Sequence, residues 1–587
     1  MASRNGNVLK LDNFSAPSVL QVPNGPTVNG FLSTHGVNNY LNIPYAHIPA
    51  RFRTAKLLNL EDLTSDAELD ATKYGPRCPQ PADDIHILMS HMFEQLPMAQ
   101  YTEGFSCLDV NIYAPKDIPQ GTKLPVFAWI HGGAFRAGDN TTEFDGNHLV
   151  ARSVALGEPI VVVTINYRLG IFGFTTSKEI DAEARASGES APIRGQGIND
   201  QKLALLWIQK HISLFGGDPA KVTVGGESAG AMSVHYLLRC RTDVPLFSRA
   251  LICSAPAVAT SLRDVSSGQA QFDALVAAAG ISEKAPYQVK LATLRSYSAD
   301  QLVAMLPPEM SNGLPTPFID PAWFADEEEG KSLADGVLPP AEYWCRLPEW
   351  CSEIIVGNTK DELALFIGRP EAIVWKTEEA QKLLGAVVSK IPAQPNQPLV
   401  EAIWDSPSVK VGPTPFGRIV AFGTHLFIGG PSHAFAAAVT RQCPNHKVYM
   451  YSIDIVDPFP GTANDGTPLT KDDLAGPLSG FAWHSFGNAI MFYQPACQKD
   501  AELGQTADKI TAAHIGLMNG STSSDWEPFS VAGKRMSWNG SKSALVEIGL
   551  EASDPVHEHL KTAGNEAALK DYEEFIQDPR RVVKLLG

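Results

Sequence analysis

The sequence predicts an α/β fold, in which a mostly parallel central sheet carries helices on both faces and long loop and helix excursions surround a site. Two runs, 124–133 and 159–168, are rich in β-branched residues and show no polar alternation. That pattern is typical of strands buried on both faces of a parallel sheet. Strand-like runs alternate with helical patterns from about residue 124 onward, which indicates a sheet wound with crossover helices.

The segment 199–219 is the clearest predicted helix. Leu205, Ile208 and Ile212 recur at helical spacing, and the pattern ends at Gly216. Further along the chain we expect a strand, a helix and two more strands, at 221–228, 229–240, 249–255 and 352–362.

Two long stretches interrupt this alternation. Residues 255–350 and 455–480 contain Gly, Pro, Asp and Ala without clear periodicity. We interpret them as excursions around the mouth of a site, because ligands of such sheets bind beyond the carboxyl ends of the strands. No internal repeat and no Gly/Ser linker divides the chain, so we expect a single domain spanning residues 1–587.

The composition excludes several classes of protein. The chain has 587 residues, of which 44% are hydrophobic and 19% are charged, as in folded proteins. Its 47 basic and 64 acidic residues leave a formal charge of −17, which repels phosphate backbones, so we expect no nucleic-acid partner. No stretch approaches the roughly 20 apolar residues of a membrane helix, so we expect no membrane partner.

Terminal and cysteine patterns concern location and metals. The first residues show no basic segment followed by an apolar core, so we expect a cytoplasmic protein. The eight cysteines are too sparse for a disulfide scaffold, and none forms a CxxC pair that would indicate structural zinc. We expect no metal and no cofactor.

The sharpest motif is G-x-S-x-G at residues 226–230, with Ser228 at its centre. It lies where a predicted strand gives way to a predicted helix, and this order is what a nucleophile elbow requires. Such a turn exposes the serine hydroxyl at a helix amino terminus, where the helix dipole favours developing negative charge. The alternative interpretation is a tight Gly-rich turn with an N-capping serine.

A serine nucleophile needs a base within hydrogen-bond reach and an acid that orients the base. His484 follows a Gly/Pro-rich loop and opens an apolar segment, as expected of a base on a loop over the sheet. His557 and His559 lie in a polar stretch and are expected to be solvated. Glu362 ends the predicted strand 352–362 and is the candidate acid, but neighbouring Asp361 competes with it on spacing alone.

A tetrahedral intermediate also needs hydrogen-bond donors. Residues 131–135, HGGAF, follow a predicted strand, and small residues there leave backbone N–H groups free to point at an oxyanion. Paired glycines after a strand are also found in ordinary loops. The elbow nearby favours the functional interpretation.

Several motifs resemble the type-B carboxylesterase and cholinesterase-like family of α/β hydrolases. The elbow reads GGESAGA, FSCLDVNIYAP is similar to the family's EDCLYLNVYAP, and INYRLGIFGF, NDQKLALLWIQ and LFGGDP match its core blocks in order. The resemblance runs from about residue 43 to residue 492. It implies an active-site gorge in which Ser228 is the nucleophile, Glu362 rather than Asp361 is the acid, and His484 is the base.

The resemblance also implies supporting residues. It makes the backbone N–H groups of Gly133, Ala134 and Ala229 the oxyanion donors, and it places Glu227 beside the nucleophile as a supporting carboxylate. It further implies a disulfide between Cys78 and Cys107. Cys345 and Cys351 match no family pair, and we expect two thiols.

Three departures from the family pattern stand out. Phe105 replaces a glutamate that pairs with the arginine matching Arg51, whereas the pair of Arg168 and Asp200 is retained. After the predicted base, Ser485 and Phe486 replace a small residue and an acidic residue. The latter change bears on substrate preference.

These observations predict a serine carboxylic-ester hydrolase that forms an acyl-enzyme from a small-molecule ester or lactone. The apolar run 254–262, just past the elbow, is expected to line an acyl pocket, which favours a hydrophobic substrate. One alternative is an acyltransferase or lactonase in a biosynthetic pathway, since an acyl-enzyme does not specify its acceptor. A non-catalytic, cholinesterase-like binding domain is the alternative from another class, and the retained Ser228, Glu362 and His484 disfavour it.

Overall fold

A computed structural model provides the coordinates of the chain. The residues that the structure describes are 14–65, 67–81, 89–93, 105–119, 121–189, 194–257, 263, 265–306, 316–318, 320, 323–324, 345–367, 415–459, 478–521, 525–548, 566 and 570.

Thirteen strands of the described chain form one sheet, and two short strands pair separately. The strands are β1 (Phe14–Gln21), β2 (Thr27–Ser33), β3 (Val37–Pro44), β4 (Ala46–His47), β5 (Lys56–Leu57), β6 (Glu68–Asp70), β7 (Asp109–Pro115), β8 (Leu124–Ile130), β9 (Val161–Ile165), β10 (Gly217–Glu227), β11 (Arg249–Cys253), β12 (Glu353–Thr359), β13 (Lys447–Ile453), β14 (Lys534–Trp538) and β15 (Ala544–Glu547). The main sheet has the order β1-β2-β3-β7-β9-β8-β10-β11-β12-β13-β14-β15, with β6 beside β2.

The centre of the sheet is parallel and its margins are antiparallel. Every neighbouring pair from β9 through β8, β10, β11, β12 and β13 to β14 is parallel. Strands β1, β2, β3, β7 and β9 pair antiparallel at one margin, and β14 pairs antiparallel with β15 at the other. The predicted mostly parallel sheet is therefore confirmed.

The predicted strands have continuous apolar sequences because both faces of the sheet are covered. Along β8, Val126, Ala128 and Ile130 pack into one hydrophobic cluster. The alternating residues Phe127 and Trp129 pack into a second cluster on the opposite face. Strands covered on both sides need no polar alternation, which is why these runs carry none.

The predicted strand 352–362 is too long. Strand β12 ends at Thr359, and residues 360–363 form a turn. Glu362 therefore lies three residues past the strand rather than at its last position. Within this turn the N–H of Asp361 donates to the carbonyl oxygen of Ala482.

The helices of the described chain lie between and beyond these strands. They are α1 (Asn147–Ala155), α2 (Gly170–Gly173), α3 (Lys178–Ala186), α4 (Gln196–His211), α5 (Ala229–Leu238), α6 (Val265–Ala278), α7 (Tyr287–Ser296), α8 (Ala299–Met305), α9 (Ala364–Ile367), α10 (Pro415–Thr424), α11 (Gly430–Gln442), α12 (Phe486–Met491), α13 (Ala501–Asn519) and α14 (Phe529–Ala532). Short 3₁₀ turns occur at Leu60–Asp62, Ser90–Met92, Thr142–Phe144, Ile212–Phe215, Pro495–Lys499 and Gly540–Lys542, and a π-helical turn at His425–Gly429.

Helix α4 corrects the predicted bounds at both ends. It begins at Gln196, ends at His211 and continues as a 3₁₀ turn that stops at Gly216, whose φ is +85°. Gly217 and Pro219 already belong to β10 rather than to the end of the helix. A left-handed glycine ends the helical segment, as the sequence pattern predicted, because glycine adopts that conformation without steric strain.

The excursion 255–350 contains the helices α6, α7 and α8. Sequence periodicity missed α6 because two of its buried positions are Gly268 and Gln271, which interrupt the apolar stripe of Phe272, Leu275 and Val276. These helices pack together in a separate small hydrophobic cluster. The excursion is therefore partly helical, as the predicted fold allows.

Candidate active site

Ser228 occupies a strained turn between β10 and α5. Its backbone has φ of +57° and ψ of −123°, a conformation that non-glycine residues rarely adopt. A Cβ on Gly226 would lie 2.4 Å from the backbone of Gly230, and a Cβ on Gly230 would lie 2.0 Å from the carbonyl oxygen of Ile130. The neighbouring backbone therefore comes too close to both positions for any residue but glycine, as in a nucleophile elbow.

The loop after β8 lies directly against this elbow. A Cβ on Gly132 would lie 2.7 Å from Glu227 Oε2 and 3.1 Å from Ser228 Cβ. Gly133 and Ala134 have positive φ, +96° and +58°, and both residues are exposed. Within the described chain, the N–H groups of Gly133 and Ala134 have no protein acceptor. They are thus available to an incoming group.

Ala229, the third predicted donor, is the first residue of α5 and follows Ser228 directly. The first N–H groups of a helix have no partner inside the helix, so the N–H of Ala229 is free to bind a negative oxygen. The three predicted donors and Ser228 therefore lie on two adjoining turns, one after β8 and one after β10, which are neighbours in the sheet.

Glu362 and His484 form a buried pair although they are far apart in sequence. His484 Nδ1 lies 2.6 Å from Glu362 Oε2, and Glu362 Oε1 accepts a hydrogen bond of 2.7 Å from the backbone N–H of Thr359. Both side chains are less than 5% exposed. A carboxylate in this position fixes the imidazole with Nε2 directed away from Glu362.

Asp361 faces a different partner. Its Oδ2 accepts a hydrogen bond of 3.0 Å from the backbone N–H of Ala482, and its own N–H donates to the carbonyl oxygen of Ala482 at 2.9 Å. Burial raises the pKa of this carboxyl. Asp361 holds the chain just before His484, and the two acids diverge because they lie in a turn, not because they alternate along a strand.

Glu227 lies on the other side of the imidazole. Its Oε1 is 3.0 Å from His484 Nε2, accepts a 2.8 Å hydrogen bond from Ser485 Oγ, and is buried. Asn488 Nδ2 donates to Glu227 Oε2 at 3.4 Å. Burial lowers the pKa of His484, but the charges of Glu227 and Glu362 outweigh it and raise the pKa to about 10.

The structure brings His484 close to the elbow but does not join it to Ser228 by a hydrogen bond. Glu227 Oε1 lies 3.0 Å from Nε2, and Nε2 has no hydrogen-bond partner among the described residues. Ser228 is partly exposed, so it is accessible from solution.

Three side chains at the site were not singled out as site residues from sequence. Ser485 and Asn488 contact Glu227, and the half-exposed ring of Phe366 lies 4.8 Å from the His484 ring, between centroids. The change at Ser485 from the family pattern was the available signal for that residue. Asn488 and Phe366 carried no such signal.

Two further expectations concern Arg168 and Arg51. Arg168 and Asp200 form the retained ion pair at 2.7 Å. Arg51, which lacks its usual glutamate, donates to the carbonyl oxygen of Tyr297 at 2.7 Å and lies over the ring of Phe172.

The cysteines pair as expected. Cys78 and Cys107 form a disulfide, whereas Cys345 and Cys351 are buried free thiols.

Some predictions concern residues that the structure does not describe. His557, His559 and residues 258–262 of the predicted acyl-pocket run lie outside the described residues. In the part of the chain that is described, no group of three or more His, Cys, Asp or Glu side chains could hold a metal ion. Within the same residues, every helix is too short or too polar to cross a membrane.

A strained serine after a central parallel strand, facing a buried histidine and glutamate, defines the class of α/β hydrolases. A model of the carboxylesterase family matches residues 16–475, well over half of the chain. The chain therefore belongs to the carboxylesterase family and is an enzyme that acts on carboxylic ester bonds. The matched residues include Ser228 and Glu362 and end before His484.

Individual relatives agree with this membership. The para-nitrobenzyl esterase of Bacillus subtilis (strain 168) is 32% identical over 423 residues, which are 72% of this chain and 75% of the relative. Liver carboxylesterase 1 of Oryctolagus cuniculus is 37% identical over 257 residues, 42% of each chain. The solved structure of a thermophilic PNB esterase has a TM-score of 0.64 and 25% identity, covering 90% of this chain and 97% of that one.

Proposed function

We propose that the protein hydrolyses hydrophobic carboxylic esters or lactones through an acyl-enzyme, with Ser228, His484 and Glu362 as its catalytic triad. The observation that carries the proposal is the buried 2.6 Å contact between His484 Nδ1 and Glu362 Oε2 beside the strained turn of Ser228. This contact is what an orienting acid makes with the base of a triad.

In the proposed acylation step, neutral His484 takes the proton of Ser228 through Nε2 as the serine oxygen attacks the substrate carbonyl. Negative charge then develops on the carbonyl oxygen. The free N–H groups of Gly133, Ala134 and Ala229 are placed to stabilise it, which is commonly the largest electrostatic contribution in such reactions. His484 next gives its proton to the leaving alcohol, and the acyl-enzyme remains.

Deacylation repeats these steps with water as the nucleophile. His484 removes a proton from the water as the water oxygen attacks the acyl carbon, and the same donors stabilise the second tetrahedral intermediate. The bond between the acyl carbon and Ser228 Oγ then breaks, Ser228 Oγ takes the proton back from His484, and the acid product is released. Glu362 stabilises the imidazolium that forms in both halves of the cycle.

A preference for hydrophobic substrates is supported by the apolar surroundings of the site. The half-exposed ring of Phe366 lies next to His484. An apolar surface beside the reacting atoms favours apolar acyl or alcohol groups, because binding removes both surfaces from water.

The test combines labelling with product analysis. A fluorophosphonate should label the wild-type protein on the peptide that contains Ser228, and p-nitrophenyl esters of increasing acyl length should be hydrolysed with rising kcat/KM. A competing alcohol in the assay distinguishes hydrolysis from acyl transfer, since an acyltransferase would yield mainly the new ester. Labelling at another residue, with Ser228→Ala still active, would overturn the proposal.

The single domain and the cytoplasmic location stay predictions. A disulfide such as Cys78–Cys107 persists in oxidising compartments and is rare in the cytosol. Thiol titration of protein isolated with its thiols blocked would show whether the bond exists in the cell, and an intact bond would contradict a cytoplasmic location.

A further inference from the structure

Two carboxylates flank one imidazole at this site. Glu362 lies 2.6 Å from Nδ1 of His484, and Glu227 lies 3.0 Å from Nε2. All three side chains are less than 5% exposed. Glu362 fits the orienting role, but Glu227 lies at the nitrogen that the proposed mechanism reserves for Ser228. Glu227 and Ser228 therefore compete for the same nitrogen.

The contact with Glu227 is imperfect, and Ser485 explains why. The separation of 3.0 Å allows an ion pair, yet Nε2–H is not aligned with Oε1 as a hydrogen bond requires. Ser485 Oγ already donates to the same Oε1 at 2.8 Å. A carboxylate oxygen that accepts one hydrogen bond is less basic towards a second donor.

The position of Ser485 is determined by the backbone. The residue has φ of +69° and immediately follows His484, so its hydroxyl turns back towards Glu227 while α12 begins at the next residue. Asn488 on α12 donates to the other oxygen, Oε2, at the longer distance of 3.4 Å. The segment that carries the base thus also holds the competing carboxylate.

Given the triad proposed above, we propose that Ser485 is a positioning residue, which by its hydrogen bond to Glu227 Oε1 weakens the hold of Glu227 on His484 Nε2 and leaves that nitrogen available to Ser228. The proposal concerns the free enzyme, before substrate binds. It assigns opposite effects to two neighbours of the base: Glu227 holds the ring in its protonated form, and Ser485 opposes that hold.

Among the described residues, the other titratable side chains that interact with Glu227 or Glu362 include Cys253, Tyr167, Tyr451 and Asp361. Burial raises the pKa of Cys253 to about 12, and it also raises the pKa values of Tyr167 and Tyr451, so all three are neutral. Asp361 is directed at the backbone of Ala482.

The test is the acidic limb of kcat/KM, which reports the ionisation of the base in the free enzyme. Glu227→Gln removes one negative charge, lowers the pKa of His484 and should move the limb to lower pH by about 1–3 units. Ser485→Gly removes the hydroxyl, strengthens the hold of Glu227 and should move the limb to higher pH by about half a unit. In the Glu227→Gln background, Ser485→Gly should cause no further shift.

Two variants of Ser485 separate the hydroxyl from the backbone. Glycine suits the positive φ at this position, whereas alanine keeps a Cβ there, so Ser485→Ala is the more strained of the two. Both variants lack the hydroxyl, so the acidic limb of kcat/KM should move to higher pH by the same amount in each. Ser452→Ala is the matched control, because Ser452 is likewise buried, on β13, and its hydroxyl has no hydrogen-bond partner in the described structure. The acidic limb of its kcat/KM profile should match that of the wild type.

The outcomes distinguish this inference from the proposed function. If the fluorophosphonate labels Ser228 but Ser485→Gly leaves the limb unchanged, or shifts it equally with and without Glu227, the role of Ser485 is wrong and the triad stands. A shift in Ser485→Gly that is absent in Ser485→Ala would assign the effect to the changed backbone rather than to the lost hydroxyl, and would overturn the inference. If Ser228 is not labelled at all, the triad itself fails.

Discussion

The two sides of the site are built by different means. The nucleophile side, residues 130–135 and 226–230, consists of two turns after neighbouring strands, with Gly226 paired in register to Ile130. The base side, residues 359–366 and 482–488, joins segments whose key residues, Glu362 and His484, are 122 positions apart. Close contacts between backbone segments determine the geometry of the nucleophile side, whereas side-chain charges and hydrogen bonds determine that of the base side.

Because of this difference, substitutions on the two sides should have different effects. On the nucleophile side, glycines admit contacts that any Cβ would block, so substitutions there disturb the fold. On the base side, His484 lies between Glu362 and Glu227, the latter reaching it from the elbow, so substitutions around the ring alter its charge and orientation. The Ser228 hydroxyl is an exception, because it is the proposed nucleophile and makes no capping hydrogen bond to α5.

The largest expected effect is therefore that of Ser228→Ala. Removing the hydroxyl should lower kcat by on the order of 10⁶, leaving the residual catalysis of the oxyanion donors. Folding should be retained, because the Ser228 side chain makes no capping hydrogen bond to α5 and alanine keeps its Cβ. We would measure p-nitrophenyl ester turnover alongside circular dichroism, and near wild-type turnover in a folded variant would show that another residue is the nucleophile.

The second effect tests the base side by exchanging each acid for its amide. Glu362→Gln should lower kcat by as much as about 10⁴, because a neutral amide no longer stabilises the imidazolium or its tautomer. Asp361→Asn should have little effect on kcat, because its side-chain oxygen can still accept from the N–H of Ala482. A dead Asp361→Asn beside an active Glu362→Gln would reverse the assignment.

The third effect compares one glycine from each side. Gly230→Ala places a Cβ 2.0 Å from a backbone oxygen that cannot move aside, and it should lower the free energy of unfolding by about 1–3 kcal/mol. Gly487→Ala on the base side meets only the end of the flexible Ile453 side chain, at 2.9 Å, and should change that free energy by less than about 1 kcal/mol. Urea unfolding of both variants would measure the contrast, and equal losses would refute it.

The fourth effect concerns pH. Neutral His484 is the proposed base, and the flanking carboxylates raise its pKa, so kcat/KM should rise with pH along a limb well above the ordinary histidine value of about 6.5. If chemistry is rate-limiting and kcat/KM is already independent of pH above 6.5, the free enzyme does not hold His484 protonated between the two carboxylates.

The smallest effect is expected for Phe366→Ala. The ring packs against His484 at 4.8 Å between centroids, and an aromatic contact of this kind contributes about 0.5–1.5 kcal/mol. We expect kcat to fall about 2- to 10-fold, with Phe366→Leu retaining more activity because it keeps part of the apolar contact. Wild-type kcat in Phe366→Ala would show that the ring does not hold the base.

The parallel strands at the centre of the sheet were predictable because burial on both faces leaves a continuous apolar run, as in β8 and β9. Helix α6 was not recognised, because Gly268 and Gln271 occupy positions on its buried face. The end of β12 was misplaced as well, because the turn at residues 360–363 depends on contacts with Ala482, far away in sequence.

By itself, the sequence determined the nucleophile side, because its geometry depends on local backbone: a strand, a turn that only small residues permit, and a helix, in consecutive residues. It also indicated His484 and narrowed the acid to two neighbours, of which only the resemblance to the family indicated Glu362. Only the tertiary structure placed Glu362 at Nδ1, turned Asp361 towards Ala482, and put Glu227, Ser485 and Phe366 around the ring. Which of two adjacent carboxylates meets a distant histidine depends on how the turns fold over the sheet, and no local pattern in the chain carries that information.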